Sequence, residues 1–125
     1  MVNLETFRKI ALAYPEAMED THFDKISFRV KKKIFATYNP KNNQASVKLS
    51  LSDQDLYALI DKNIIYPVPN AWGRQGWTIV ELNTIKEEII TAIVRSAYCQ
   101  VAPPKLVNTY LSKKYHVIWE ILFAQ

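Results

Sequence analysis

Residues 26 to 51 read Ile-Ser-Phe-Arg-Val-Lys-Lys-Lys-Ile-Phe-Ala-Thr-Tyr-Asn-Pro-Lys-Asn-Asn-Gln-Ala-Ser-Val-Lys-Leu-Ser-Leu. Ile26, Phe28 and Val30 alternate with Ser27 and Arg29, the two-residue period of a half-buried strand. Lys31 to Lys33 make a turn. Ile34 to Tyr38 is a second strand, rich in aromatic and β-branched residues. Asn39-Pro40-Lys41-Asn42-Asn43 is a strong turn signal. Ala45, Val47, Leu49 and Leu51 then alternate with Ser46, Lys48 and Ser50. The stretch therefore predicts a three-stranded antiparallel meander with one apolar and one polar face.

Helical spacing surrounds the meander. Upstream, Leu4, Phe7, Ile10, Ala11 and Tyr14 form an apolar stripe that Asn3 caps and Pro15 stops. Downstream, Ser52 is the expected cap of a second helix, with Asp53 and Asp55 in its first turn. Leu56, Leu59 and Ile60 are its expected buried face. Ile64 to Val68 is short and β-like, and Pro67 and Pro69 confine it to an edge. The loop Asn70-Ala71-Trp72-Gly73-Arg74-Gln75-Gly76 holds both glycines of the chain. Trp77, Ile79, Val80 and Leu82 make another strand. Thr84 or Asn83 caps a long helix whose apolar side is Ile85, Ile89, Ile93 and Tyr98, with Ala92 and Ala97, and Pro103-Pro104 ends it. The fold class expected is α+β in two layers. An antiparallel sheet of about five strands, in the order α-β-β-β-α-β-β-α, carries its helices on one face. The other face meets water or a partner. Residues 1–111 form this domain. Tyr115, Ile118, Trp119 and Leu122 predict that 112–125 is an amphipathic C-terminal helix, either packed on its own core or forming a homodimer contact.

Composition bounds the function. With 125 residues, 49% hydrophobic and 22% charged, the chain can bury one real core. No apolar run approaches a membrane span, and Glu5 and Arg8 within the first helix argue against a signal peptide. A lone Cys99 excludes an intrachain disulfide and points to the cytoplasm. Sixteen Lys and Arg against twelve Asp and Glu give a formal net charge of +4. Placement matters more than that total. Arg29 to Lys33 puts four cations in five positions, and Lys41 and Lys48 follow in the same meander. Such a hairpin can lie along a duplex and neutralise phosphates.

Catalytic and metal signals are thin. Asp20, His22 and Asp24 would lie on one side of an extended chain, where carboxylate and imidazole could act as base or ligand. Cys99 has no recognisable partner base, and Gly73-Arg74-Gln75-Gly76 lacks the ending of a phosphate loop and leads into a strand. Trp72 and Trp77 could stack on a base or a small planar ligand, with Arg74 meeting phosphate.

Three blocks carry a resemblance. They are His22-Phe23-Asp24-Lys25-Ile26-Ser27-Phe28-Arg29-Val30 with Lys33-Ile34-Phe35-Ala36-Thr37, then Ala71 to Thr78 with Val80 and Leu82, then Ala97-Tyr98 with Val101 to Leu106. In order and spacing they resemble the YjbR/MmcQ family. The resemblance implies a CyaY-like or secretion-chaperone-like two-layer fold and DNA binding through a double-wing arrangement of hairpins, with no established enzymatic activity. It puts Arg29 and Lys33 on the basic hairpin and Trp72, Arg74 and Trp77 in a tryptophan loop. Two positions depart from the family pattern. Lys31 and Lys32 stand where a turn glycine is usual, and Asn70 where a glycine commonly precedes the tryptophan loop.

The expectation is a non-enzymatic protein without cofactor or metal that binds double-stranded DNA. Arg29, Lys31, Lys32, Lys33, Lys41, Lys48 and Arg74 would meet phosphates. The alternative is a small-molecule- or protein-binding module with a pocket of His22, Phe23, Trp72, Arg74 and Trp77.

Overall fold

A computed structural model describes residues 1–22 and 24–109. The expected helix over 112–125 and its homodimer contact lie outside the described residues. The chain forms α1 (Leu4–Leu12), β1 (Met18–His22), β2 (Lys25–Val30), β3 (Lys33–Asn39), β4 (Gln44–Lys48), α2 (Leu51–Ala58), β5 (Ile65–Pro67), α3 (Ala71–Arg74), β6 (Trp77–Glu81) and α4 (Glu87–Val101). Residues 104–109 are again helical. All neighbouring strands pair antiparallel, in the order β1-β2-β3-β4-β6-β5.

The α+β two-layer class stands, and the meander is β2 to β4. The sheet has six strands rather than about five. The additional strand is β1, whose sequence Met-Glu-Asp-Thr-His offers no apolar alternation because it is an outer strand. The edge position expected for 64–68 is that of β5. β6, the last strand in sequence, is inserted between β4 and β5.

Phe28, Val30, Phe35, Ala36, Tyr38, Ala45, Val47 and Val80 are buried beneath the helices, together with Phe7 and Ala11 of α1 and Ile90, Ile93, Val94, Ala97 and Tyr98 of α4. Aromatic rings link the layers. Phe7 meets Phe28 edge to face at 5.5 Å, Tyr98 meets Phe35 the same way at 5.6 Å, and Tyr14 stacks on Tyr98 at 4.8 Å. The Tyr98 hydroxyl donates to the Pro15 carbonyl at 2.7 Å, so this buried ring also keeps its polar end satisfied.

Helix starts follow capping chemistry. Asn3 accepts from the Thr6 amide at 2.9 Å, as expected. For α2 the cap is Ser50 rather than Ser52: its hydroxyl accepts from the Asp53 amide at 3.1 Å. α4 starts at Glu87 after Lys86, which makes no side-chain cap bond, rather than at Asn83 or Thr84.

The largest correction concerns α2. Leu56, Leu59 and Ile60 are exposed, Leu59 to 83%, whereas Gln54 is buried to 5%. Their spacing imitates a core stripe, but the helix turns its polar Gln54 inward, where backbone carbonyls need a donor. Tyr57, half-buried, reaches α4 and bonds the Ala92 carbonyl at 3.2 Å and the Ser96 hydroxyl at 2.9 Å. No helix among the described residues is long and apolar enough to cross a membrane.

Candidate functional site

Among the described residues, no long helix lies on the face of the sheet opposite this core. Its residues follow from register. Ser27, Thr37, Ser46, Ile79 and Tyr66 are successive cross-strand partners and share one row. Lys48 pairs with Trp77 and Arg29 with Ile34 in the neighbouring row. A β-bulge shapes this row: Phe28 faces Ala36, yet Arg29 faces Ile34. The skipped Phe35 stays in the core.

α3 borders that face, and close backbone packing fixes it. Asn70 caps it by accepting from the Trp72 amide at 2.9 Å. A Cβ on Gly73 would lie 1.9 Å from the Val68 carbonyl oxygen, so only glycine lets the chains approach. At Gly76 φ is 104°, and a Cβ would lie 1.9 Å from the Leu49 carbonyl oxygen. From below, the Gln54 amide donates to the Gly73 carbonyl at 3.0 Å, the Trp77 carbonyl at 3.2 Å and the Thr78 hydroxyl at 3.1 Å. The stretch read as a loop is thus a pinned helical turn, and on it Trp72 is 59% exposed.

Trp72 and Trp77 line a shallow cleft of about 370 Å³ on the open face, with Ile34 and Val68 as further apolar walls, Thr37 and Ser46 as polar groups and Lys25 as its cation. The volume falls at the lower end of the range for small-ligand sites. Among the described residues, neither indole stacks on another ring, and the hydroxyls of Thr37 and Ser46 have no hydrogen-bond partner. Sequence reasoning found the two tryptophans and missed Lys25, Ile34, Thr37, Ser46 and Val68. The signal was present: the polar positions of three adjacent strands must come together once register is assigned.

The structure separates the expected cations. Lys31 and Lys32 occupy the β2–β3 turn, and Lys33 opens β3 opposite Val30. Arg29 and Lys48 lie on the open face at that same end of the sheet, and the Lys48 ammonium bonds the Gln75 carbonyl next to α3. Arg74 is exposed on α3. Lys41 lies at the opposite end, beyond β3, about 20 Å away by strand rise, and pairs with Asp24 at 3.1 Å. Acids of the β1 side hold part of the hairpin charge: Lys31 meets Glu16 at 2.8 Å, and Arg29 meets Asp20 at 4.0 Å and the Ser27 hydroxyl at 3.3 Å. Lys32, Lys33 and Arg74 form no salt bridge among the described residues. The pairs of Lys31 and Lys41 are exposed, so exchanging a carboxylate for a phosphate costs little.

Of the Asp20-His22-Asp24 cluster, the two carboxylates turn to different cations. Asp20 faces Arg29, and Asp24 bonds Lys41, whose ammonium holds that carboxyl below its ordinary value. His22 ends β1 opposite Lys25, while Phe23 and the side chain of His22 lie outside the described residues. No group of His, Cys, Asp and Glu among the described residues could hold a metal ion. Burial pushes the Cys99 thiol up, away from the nucleophilic thiolate. Farther along the sheet, Glu81 accepts from the Tyr66 hydroxyl at 2.5 Å and from Gln44 at 2.9 Å. The bond to Glu81 pushes the Tyr66 phenol up to about 12.

Comparisons with known proteins address the fold and the family. No curated protein matches the chain. Among solved structures, a Deinococcus radiodurans protein, DR2400, with a DUF419 domain, is similar with a TM-score of 0.70 at 18% identity. The match covers 80% of this chain and 78% of that one. At that identity the likeness concerns the fold alone. The family model for YjbR matches residues 12–100, from the end of α1 almost to the end of α4 and across all six strands. The chain belongs to the YjbR family.

Proposed function

We propose that the protein is a non-enzymatic nucleic-acid-binding module that meets phosphates with the turn end of its open sheet face. One observation carries this reading: Arg29, Lys31, Lys32, Lys48 and Arg74, scattered over 46 positions of sequence, converge on the same end of the sheet. A cluster of cations from four separate elements gives the directional field that a phosphate backbone selects. The hairpin tip supports it further. Two lysines hold left-handed backbone there, where Asn-Gly would fold more easily, so the turn keeps charge at a conformational cost. Double-stranded DNA is the reference partner, and the lone thiol suits the cytoplasm.

Fluorescence anisotropy with a labelled random-sequence duplex tests the reading at low and near-physiological salt. Binding should weaken steeply with salt. The triple variant K31Q/K32Q/R74Q should flatten the log–log slope by about 0.9 for each phosphate that is no longer neutralised. K41Q, at the far end, should leave the slope unchanged. No binding at low salt, or equal slopes for wild type and the triple variant, would overturn the proposal.

A further inference from the structure

The indole cleft is not needed for the phosphate contacts proposed above, and its apolar walls suit something more than a phosphate. Its walls are Trp72, Trp77, Ile34 and Val68, and its polar groups are two hydroxyls and one ammonium. An apolar slot with aromatic walls selects a flat, polarisable ring. Hydroxyls that both donate and accept can meet the edge of such a ring whichever atoms it presents. Lys25 supplies a positive charge, and Lys48 lies one row away. A ring with hydrogen-bonding edges and an attached anion is the description of a nucleotide.

The setting favours a nucleotide within a strand over a free one. The cleft is shallow and open, and its lining comes from four strands, β2, β3, β4 and β6, on the face that bears no long helix among the described residues. An enclosed pocket would surround a free metabolite, whereas an open one lets a backbone run in and out. Uncovered sheet faces with exposed aromatic rings are a recurrent platform for unstacked bases. Trp72 is also presented rigidly. The Asn70 cap, the tight approaches of Gly73 and Gly76 and the Gln54 bonds hold its backbone. A large apolar ring held 59% exposed on so fixed a support is arranged for contact.

We propose that this cleft seats a single unpaired nucleobase between Trp72 and Trp77, with Thr37 and Ser46 at its edge and Lys25 toward its phosphate. This rests on the phosphate-binding reading and narrows it: the favoured partner has a single-stranded or unstacked position. A duplex keeps its bases stacked and presents none of them to the slot.

The test compares a thymidine oligomer with an abasic strand of the same phosphate count, by anisotropy and tryptophan quenching. The oligomer should bind roughly tenfold or more tighter, the scale of one stacked base. It alone should quench tryptophan emission. W72A should erase the difference while leaving abasic-strand affinity unchanged, and W72F should restore most of it. T37V/S46A, which leaves both indoles in place, should narrow the difference, and an unchanged difference would remove Thr37 and Ser46 from the base edge. Equal binding of the two strands by wild type would overturn the base-seating inference and leave the phosphate reading standing. If neither strand binds at low salt, the phosphate reading falls and takes the inference with it. Free thymidine monophosphate competing as well as the oligomer at equal base concentration would make this a free-nucleotide site and overturn the strand assignment.

Discussion

Lys31 and Lys32 have φ angles of 49° and 70°. Two-residue hairpins of this kind want Asn-Gly, because a Cβ crowds the carbonyl in left-handed backbone. Lysine gains nothing there that asparagine or glycine could not supply, apart from its charge. The double variant K31N/K32G should therefore raise stability by roughly 1–2 kcal/mol. Urea unfolding with an unchanged m-value would show it. The same variant should bind nucleic acid less well, because it strips the tip of two cations. Asn43 makes the contrasting case, since its φ of 52° suits its type. Its side chain donates to the Val2 carbonyl and to Asn83 and accepts from the Tyr38 hydroxyl, so that left-handed residue is fully used by the fold.

Among the elements, α2 shows where sequence reading succeeds and where it cannot. Alternation in β2, β3 and β4 was legible because one face of each is buried; the period is strict in β4, while β2 and β3 each bury two successive residues, Ser27-Phe28 and Phe35-Ala36. β1 was not legible as a strand, since an outer strand can be polar on both sides. α3 is four residues long, below the length at which any periodicity exists. α2 misled because Leu56, Leu59 and Ile60 share a face, and nothing local reveals that Gln54 has carbonyls to serve across the chain. The cleft was half legible for a related reason: the two tryptophans announce themselves, but their meeting with Thr37 and Ser46 depends on register. This inversion of polarity in α2 makes a prediction. Gln54→Leu, close in volume, should cost about 1–3 kcal/mol, because it withdraws the donor shared by Gly73, Trp77 and Thr78. Leu59→Lys should change stability by no more than about 0.5 kcal/mol. Chemical denaturation of the pair checks both, and a larger loss for the leucine would refute the packing described for α2.

Over the whole molecule, the sheet order sets a gradient of protection. β3 and β4 have partners on both sides and lie under α4, whereas β1 and β5 each have one. Hydrogen exchange should be slowest for the amides of β3 and β4 and fastest among the strands for β1 and β5. Rapid exchange in β4 would contradict the stacking of α4 on the centre of the sheet. The placement of β6 has a consequence during synthesis. Until residues 77–81 have left the ribosome, β4 has no neighbour on one side, and β5 has no strand to pair with at all. Even the N-terminus waits, because the Val2 amide donates to the carbonyl of Leu82 at 2.8 Å. A nascent chain halted before that point would carry a bare strand edge, its backbone groups open to pairing with any other emerging chain. Residues 77–82 thus act as the closing stitch of the fold, and interruptions of translation before them are the ones that should yield aggregates.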